Sequence, residues 1–399
     1  MFGGLHREAM KAYARAGKLF KLHLDLLYQC DLDCEHCYLD DKKKKILPTG
    51  FWKGVLDQAA AMGVFALVLS GGEIFLRKDL LELVAHARRL GLFVNMKSHG
   101  GFIDDHVASQ LAALGVTSVW LSYYSPDAAV HDAITRKIGS HAATLAAFSH
   151  LRRHDVTAVA SIVVMQRNQA TWRDAVAQCE RLGVLPSVDG HLLSALSGAA
   201  FPKELAVDMH EAIALERHHL ERVSGDCTPA QNDPIPWEQQ KNCGAGHTSL
   251  YVSPEGDVTP CIMWPMPLGN LARGDRLAEL WTPGTTPALD RIRATRSGDR
   301  EVCSRCEVRD DCDFCAGQSF IETKDPNAAI ANFCRKTRAK TLARAELLGL
   351  PEPPMPAGLL REPAPKARFV VRAAPMSPTS TEPDPALGSH GSHGSHGSR

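Results

Sequence analysis

Twelve cysteines punctuate this 399-residue chain, and their spacing leaves few folds open. Three stand within eight residues, as Cys30-Asp-Leu-Asp-Cys34-Glu-His-Cys37. Eight more lie between Cys227 and Cys334, and Cys179 stands apart from both groups. The first 24 residues are charged throughout and have no apolar signal core, so a cytoplasmic, reducing location is expected. In that compartment a disulfide framework is a poor use of so many thiols, and metal ligation is the better one.

The stretch before the main cysteine group alternates between two periodicities. Strand-like runs fall at 21–27, 64–70, 93–97, 118–122, 157–165 and 184–188. Helix-like segments at 50–62, 79–90, 104–114, 140–154 and 171–182 separate them, three of them closed by Gly91, Gly115 and Gly183. Six β/α units predict a parallel sheet with helices packed outside it, a partial (β/α)6 TIM-type barrel whose chemistry gathers just after the strand ends. The expected organisation is an N-terminal segment 1–20, a barrel 21–200, a linker helix 201–226, a cysteine-rich domain 227–345 and a tail 346–399. Within 227–345 apolar patterning fades, so metal rather than a core is expected to hold it. The tail carries 10 of the 24 prolines and ends GSHGSHGSHGSR, a composition read as disordered.

Charge and hydropathy exclude two classes of partner. Lys+Arg and Asp+Glu both number 45, which removes the basic excess of a dedicated nucleic-acid binder. No run of 18 apolar residues exists, so no membrane span is expected.

Two motifs follow the first two strands directly. Three thiolates at CxxxCxxC spacing can hold three corners of a cubane iron–sulfur cluster, which normally takes four ligands, and so leave one iron open. A zinc site completed by His36 or His23 is the alternative. Ser70-Gly71-Gly72-Glu73 ends the second strand, where glycines let backbone carbonyls approach an ammonium.

CDLDCEHCY on the loop after strand one resembles the signature of the radical SAM enzymes. The resemblance implies that the open iron chelates the amino and carboxylate groups of S-adenosylmethionine. One electron then releases a 5′-deoxyadenosyl radical that abstracts a substrate hydrogen, and the protein orients and shields that chemistry. Gly71, Gly72 and Glu73 match the family's GGE motif at the methionine end of the cosubstrate. Ser98 matches a loop that often reads Thr-Asn-Gly, and Ser122 matches the start of SLDG, with Tyr124 in place of its Asp. His131-Asp132 through Arg136 resembles HDxxR with one extra residue. By resemblance Ser122 and Arg136 bind the SAM carboxylate, and Asn168 matches a frequent polar position.

Cys243-x12-Gly256-x4-Cys261, then Cys303-x2-Cys306-x5-Cys312-x2-Cys315, then Cys334, resembles the SPASM domain with one inner spacing shorter by one residue. The resemblance implies two auxiliary [4Fe–4S] clusters beside the SAM-binding one, three in all. Cys303, Cys306, Cys312 and Cys334 hold the outer one; Cys243, Cys261 and Cys315 hold the inner one, with Cys227 available as a fourth ligand. Two structural zinc sites are the alternative for this set. Cys179 is then left over, a buried structural thiol. A sulfatase maturase is disfavoured, because Ile262 stands where those enzymes carry Asp.

The expected activity is radical modification of a precursor peptide or protein side chain, by crosslinking or oxidation. It would be supplied with electrons by a flavodoxin or ferredoxin, with a separate peptide-recognition protein as a further candidate partner. A radical SAM enzyme acting on a small molecule in cofactor biosynthesis and a non-catalytic Fe–S or zinc protein are the competing readings. No acid or base stands out; Asp189 and His191, near the last strand, are candidates. Lys42 to Lys45 and His218-His219 read as solvated. The tail's His-Gly-Ser repeats read as a passive linker, although they could bind metal weakly and resemble His-Xaa-Ser repeats modified in one class of peptide-maturing systems.

Overall fold

The computed structural model describes residues 3–39 (3–7 in backbone only), 41–43, 46–223, 235–241 and 243–359. All six expected strands form: β1 (Lys21–Asp25), β2 (Ala66–Ser70), β3 (Phe93–Ser98), β4 (Ser118–Ser122), β5 (Ala158–Val163) and β6 (Leu185–Asp189). They pair parallel in the order β6-β5-β4-β3-β2-β1, each crossover carrying at least one helix. The expected helices sit between them at Thr49–Ala61, Leu80–Arg89, Asp105–Ala113, Ser140–Arg153 and Trp172–Leu182. Gly183 closes the last of these at φ 65°, a left-handed conformation that a side chain would strain.

The alternation of side chains along the strands gives the sheet two unlike faces. Leu22, Leu24, Leu67, Leu69, Val94, Met96, Val119, Leu121, Ala160 and Ile162 are buried in the main apolar core with Trp52, Leu83, Phe148 and Trp172 from the helices. Many of the intervening positions, among them His23, Asp25, Asn95, Lys97, Ser122 and Ser161, are polar and face the inside of the curved sheet. Cys179 joins the apolar layer with no exposure, and burial pushes its thiol up to about 12. It is the structural thiol the sequence suggests.

Periodicity does not reveal how the sheet continues. β7 (Ser249–Val252) lies parallel beside β1, and β8 (Asp257–Thr259) and β9 (Gly269–Asn270) follow antiparallel. These strands are four, three and two residues long, too short for a hydrophobic pattern to register. Their pairing bolts the cysteine-rich region onto the first barrel strand. A helix at Ala128–Thr135 was likewise not read from the sequence.

The C-terminal boundary also differs from expectation. The helix Ala331–Leu348 runs past residue 346, and residues up to 359 are described, with the backbone N–H of Ala357 donating to Cys306 Sγ at 3.4 Å. Prolines at 351, 353, 354 and 356 break the helix but leave a segment that packs back on the cysteines. Residues 360–399, with the His-Gly-Ser repeats, lie outside the described residues. Among the described residues no helix is long and apolar enough to cross a membrane.

The two-faced sheet predicts unequal costs for neighbouring substitutions. Leu67→Ala should destabilise by ~2–5 kcal/mol through cavity formation, whereas Val68→Ala, on the inner face, should cost less than ~1 kcal/mol in denaturant unfolding of the cluster-free protein. Equal losses would refute the assignment of faces.

Candidate cluster and cosubstrate site

The loop after β1 carries the cysteine triad, and the loop after β2 is pressed against its stem. Gly72 N–H donates to Leu27 O at 2.9 Å and Glu73 N–H to Gln29 O at 2.8 Å. A Cβ on Gly71 would lie 2.0 Å from Leu27 O, and one on Gly72 2.2 Å from Gln29 O. The Gly-Gly pair is therefore required by this backbone contact, whatever else binds there.

Glu73 has no exposed surface. Its carboxylate accepts from Ser98 Oγ (2.9 Å to each oxygen), from the N–H of His99 (2.9 Å) and from the N–H of Phe75 (3.0 Å). Ser98 Oγ also accepts from the N–H of Gly100. Glu73 and Ser98 thus tie the loops after β2 and β3 to each other, and their polar atoms are committed inside the protein. His99 accepts from Gly101 N–H at Nδ1, so Nε2 carries its proton and points at Asp31 Oδ1, 2.8 Å away on the triad loop.

Three half-buried thiols meet in this frame. Cys34 is pushed up to about 12, by burial first and then by the proximity of Cys37 and Cys30, while Cys30 reaches about 11 for the same first reason. Crowded thiols raised in this way fit a cationic iron cluster, which would hold them as thiolates. For the zinc alternative, His36 Nε2 faces Tyr124 Oη at 3.3 Å and His23 Nε2 lies 3.2 Å from Asp25 Oδ1, so neither completes the triad; the histidine whose ring nitrogen comes within 4.8 Å of Cys30 Sγ is His99, together with Asp31. Tyr124, at the position of the family's Asp, is buried against the triad and bonded to Ser122, which accounts for the residue change as packing.

The HDxxR-like segment holds backbone. Asp132 accepts from the N–H groups of Gly139 (2.6 Å) and His141 (2.8 Å) and from Ser140 Oγ (2.9 Å). Arg136 occupies the left-handed region at φ 56°, and its guanidinium pairs with Asp33 Oδ2 on the triad loop at 2.9 Å, largely exposed. It braces that loop, and Lys42 does so too, donating to Leu32 O at 2.8 Å. Lys44 and Lys45 lie outside the described residues. Asn168 is buried and staples two strand ends, donating to Tyr124 O and Val163 O and accepting from Met165 N–H. Asp189 and His191 lie at β6 beside the helix Ala331–Leu348, with the His191 ring 4.4 Å from Phe333 and its pKa driven down to about 3 by burial. His218, read as solvated, packs edge-on to Trp172 at 5.1 Å.

Among the described residues the C-terminal cysteines lie in two groups. Cys303, Cys306, Cys312 and Cys334 line one small cavity together with Trp237, Thr337 and Gly358. A Cβ on Gly358 would stand 2.4 Å from Cys334 Sγ, so the segment after the last helix closes on the thiols as a cradle. Arg300, buried and stacked on Trp237 (4.8 Å) and Phe314 (4.2 Å), supplies a cation beside Cys303 and Cys312. Four thiols, a shaped void and a buried counter-charge fit an iron–sulfur cluster held entirely by cysteine. Cys243, Cys261 and Cys315 are mutual charge neighbours, and Cys243 Sγ accepts from the N–H of Ala245 at 3.4 Å. Cys227 lies outside the described residues.

Residues 24–178 match the radical SAM superfamily, and residues 243–307 match the SPASM iron–sulfur cluster-binding domain. The PqqA peptide cyclase of Xanthomonas euvesicatoria is 30% identical over 358 residues, spanning 85% of this chain and 94% of the relative. This chain belongs to the radical SAM superfamily, with a SPASM domain. It is a radical SAM enzyme, and the family implies S-adenosylmethionine and iron–sulfur clusters as its cofactors. The sporulation killing factor maturation protein SkfB of Bacillus subtilis is 28% identical over 65% of this chain and 64% of its own. Two solved structures share the fold. SuiB of Streptococcus suis, bound to precursor peptide SuiA, gives a TM-score of 0.64 at 18% identity, covering 82% of this chain and 79% of that one. anSMEcpe, bound to AdoMet and a peptide, gives 0.65 at 13%, covering 83% and 98%.

Sequence reasoning overlooked the groups that line the inner face. Asp25 Oδ2 accepts from Tyr251 Oη at 2.9 Å, Tyr251 and Tyr28 share a 2.7 Å hydroxyl contact, and Tyr38 is buried with a bond to Ser70. The signal was present in the strand KLHLD, where charged residues alternate with leucines.

Two tests address this frame. Gly72→Ala should destabilise the cluster-free protein by ~1–3 kcal/mol, while Gly54→Ala, whose Cβ meets nothing within 4 Å on the helix Thr49–Ala61, should stabilise it by ~0.5–1 kcal/mol. Equal effects in thermal melts would contradict the close approach. Buried His131 accepts from Tyr124 N–H and is driven down to about 4 from 6.5, chiefly by burial and then by His141. The unfolded chain binds that proton first, so stability falls as pH drops from 6.5 towards 4. His131→Gln should shrink that slope by about one proton; an unchanged slope would show that His131 does not titrate there.

Proposed function

We propose that this enzyme is a peptide or protein maturase carrying three [4Fe–4S] clusters, and that it installs a crosslink or an oxidation on a side chain. The observation that carries the reading is the junction of β1 with β7. It joins the strand that carries the three-thiol loop to the region of the second cysteine set, with Cys261 beside Lys21 and Lys97 of the inner face. A substrate between them could be reached from both ends. The relatives named as a PqqA peptide cyclase and a killing-factor maturation protein, and the peptide-bound neighbours, support a peptide over a small molecule.

In this proposal Cys30, Cys34 and Cys37 hold the cosubstrate's cluster, and Cys303, Cys306, Cys312 and Cys334 hold the outer auxiliary one. Cys243, Cys261 and Cys315 hold the inner one, with Cys227 as its fourth ligand. When bound, S-adenosylmethionine and its cluster supply a radical able to take a hydrogen atom from a C–H bond. The chain's own residues keep the site in register. Gly71 and Gly72 offer backbone at the cosubstrate's methionine end. Glu73 and Ser98 lock the flanking loops, Arg136 and Lys42 brace the triad loop, and Ser122 holds Tyr124 against it. The apolar layer and the helices close the outer face of the sheet. The electron donor is a flavodoxin or ferredoxin, the setting is cytoplasmic, and a separate recognition protein presents the peptide.

Anaerobic reconstitution tests this. The wild-type chain should take up about twelve irons, and Cys334→Ala about eight. Reduction with S-adenosylmethionine should release 5′-deoxyadenosine, and Cys30→Ala should abolish that release. Binding of two or three zinc ions without nucleoside release would overturn the reading.

A further inference from the structure

Lys97 stands out inside the sheet as a cation without a counter-ion among the described residues. It lies on β3 at an inner-face position, one residue before Ser98, and pairs in register with Trp120 of β4. Its neighbours along the strand, Met96 and Ser98, are buried on the other side, whereas Lys97 keeps exposed surface. Among the described residues no hydrogen bond or ion pair within 4 Å holds its ammonium.

The charges that face it come from β1 and from the segment after β8. Asp25 on β1 is the carboxylate that acts on it; Tyr251 donates to Oδ2, and Oδ1, 3.2 Å from His23 Nε2, makes no hydrogen bond. Lys21 adds a second positive charge, and Cys261 is the thiol within reach. The triad thiols are not among its charge neighbours. Enclosure lowers the Lys97 pKa below the ordinary lysine value, as a partially desolvated cation requires. An ammonium held in such a space gains most from an anionic ligand that fills it.

We infer that Lys97 is a substrate-binding residue that selects a carboxylate on the target peptide, an Asp or Glu side chain placed between the two cysteine sets. Two carboxylates could meet it: the substrate's, or that of S-adenosylmethionine. The cosubstrate's carboxylate belongs at the triad's open iron, and Lys97 faces the Cys261 end, which assigns Lys97 to the substrate. The inference rests on the proposed peptide-modifying function, with the inner face as the docking space.

The test uses the full chain, reconstituted anaerobically, and two probes: N-acetyl-L-glutamate α-methylamide and its neutral glutamine counterpart. Brief acetylation with acetic anhydride, read by peptide mass spectrometry, measures accessibility of Lys97, with exposed Lys78 as reference. Lys97 should label in the free enzyme. The glutamate probe should protect it, with a half-protecting concentration about tenfold below that of the glutamine probe. S-adenosylmethionine alone should leave labelling unchanged. By calorimetry, Lys97→Met should bind both probes equally, and Lys97→Arg should keep the preference. Failure of Lys97 to label, equal protection by both probes, or full protection by S-adenosylmethionine alone would each overturn the inference. Release of 5′-deoxyadenosine from the same preparation separates these outcomes from a failure of the proposed function, because nucleoside release without probe discrimination removes only the role of Lys97.

Discussion

Everything at the reactive end of this protein depends on one backbone contact, that of Gly71-Gly72 with Leu27–Gln29. Two loops from neighbouring parallel strands run so close that carbonyl oxygens occupy the space of a side chain. The approach is held by two short backbone hydrogen bonds and locked from the far side by Glu73, whose buried carboxylate gathers donors from β3 and its loop. A triad of thiols on a free loop would collapse or oxidise. On this braced loop, with Arg136, Lys42 and His99 engaging its aspartates and backbone, the thiols stay gathered.

The second constraint is the unequal dressing of the sheet. The helices seal the outer face with aliphatic and aromatic side chains, and that burial is the main source of stability. The inner face can then carry charge and hydroxyl groups that contribute little to folding. Such a surface is costly unless something polar fills it. Partners inside the protein settle most of it, as with Asp25 and Tyr251, Asn95 and Ser118, and Tyr38 and Ser70. Among the described residues Lys97 is left without a hydrogen bond or ion pair, and Asp25 Oδ1 and His23 Nε2 without a hydrogen bond, which turns a question of folding into one of binding.

Much of the barrel was legible because its signals are local. A strand of five or six residues between helices announces itself by the change of period, and Gly183 marks a helix end by its own conformational freedom. The cysteine groups were legible by spacing, and among the described residues Cys303, Cys306, Cys312 and Cys334 line one cavity. At the residues matched to cosubstrate binding the structure adds contacts that no spacing shows: Arg136, at a left-handed helix end, pairs with Asp33, and Glu73 accepts from Ser98. The order of residues 346–359 escaped notice because a proline-rich composition predicts disorder, while the contact of Gly358 with Cys334 depends on a helix end remote in sequence from the other three cysteines.

Sequence alone determined the parallel β/α plan, which follows from residue type at short separations, and its cysteine motifs marked the resemblance to the family. The tertiary structure decided that β7 docks on β1, that Arg300 lies over one thiol set, and that Lys97 faces the interior without a counter-ion among the described residues. Those facts come from side chains far apart in the chain, brought together only when the apolar face of the sheet is buried, and no spacing rule encodes them.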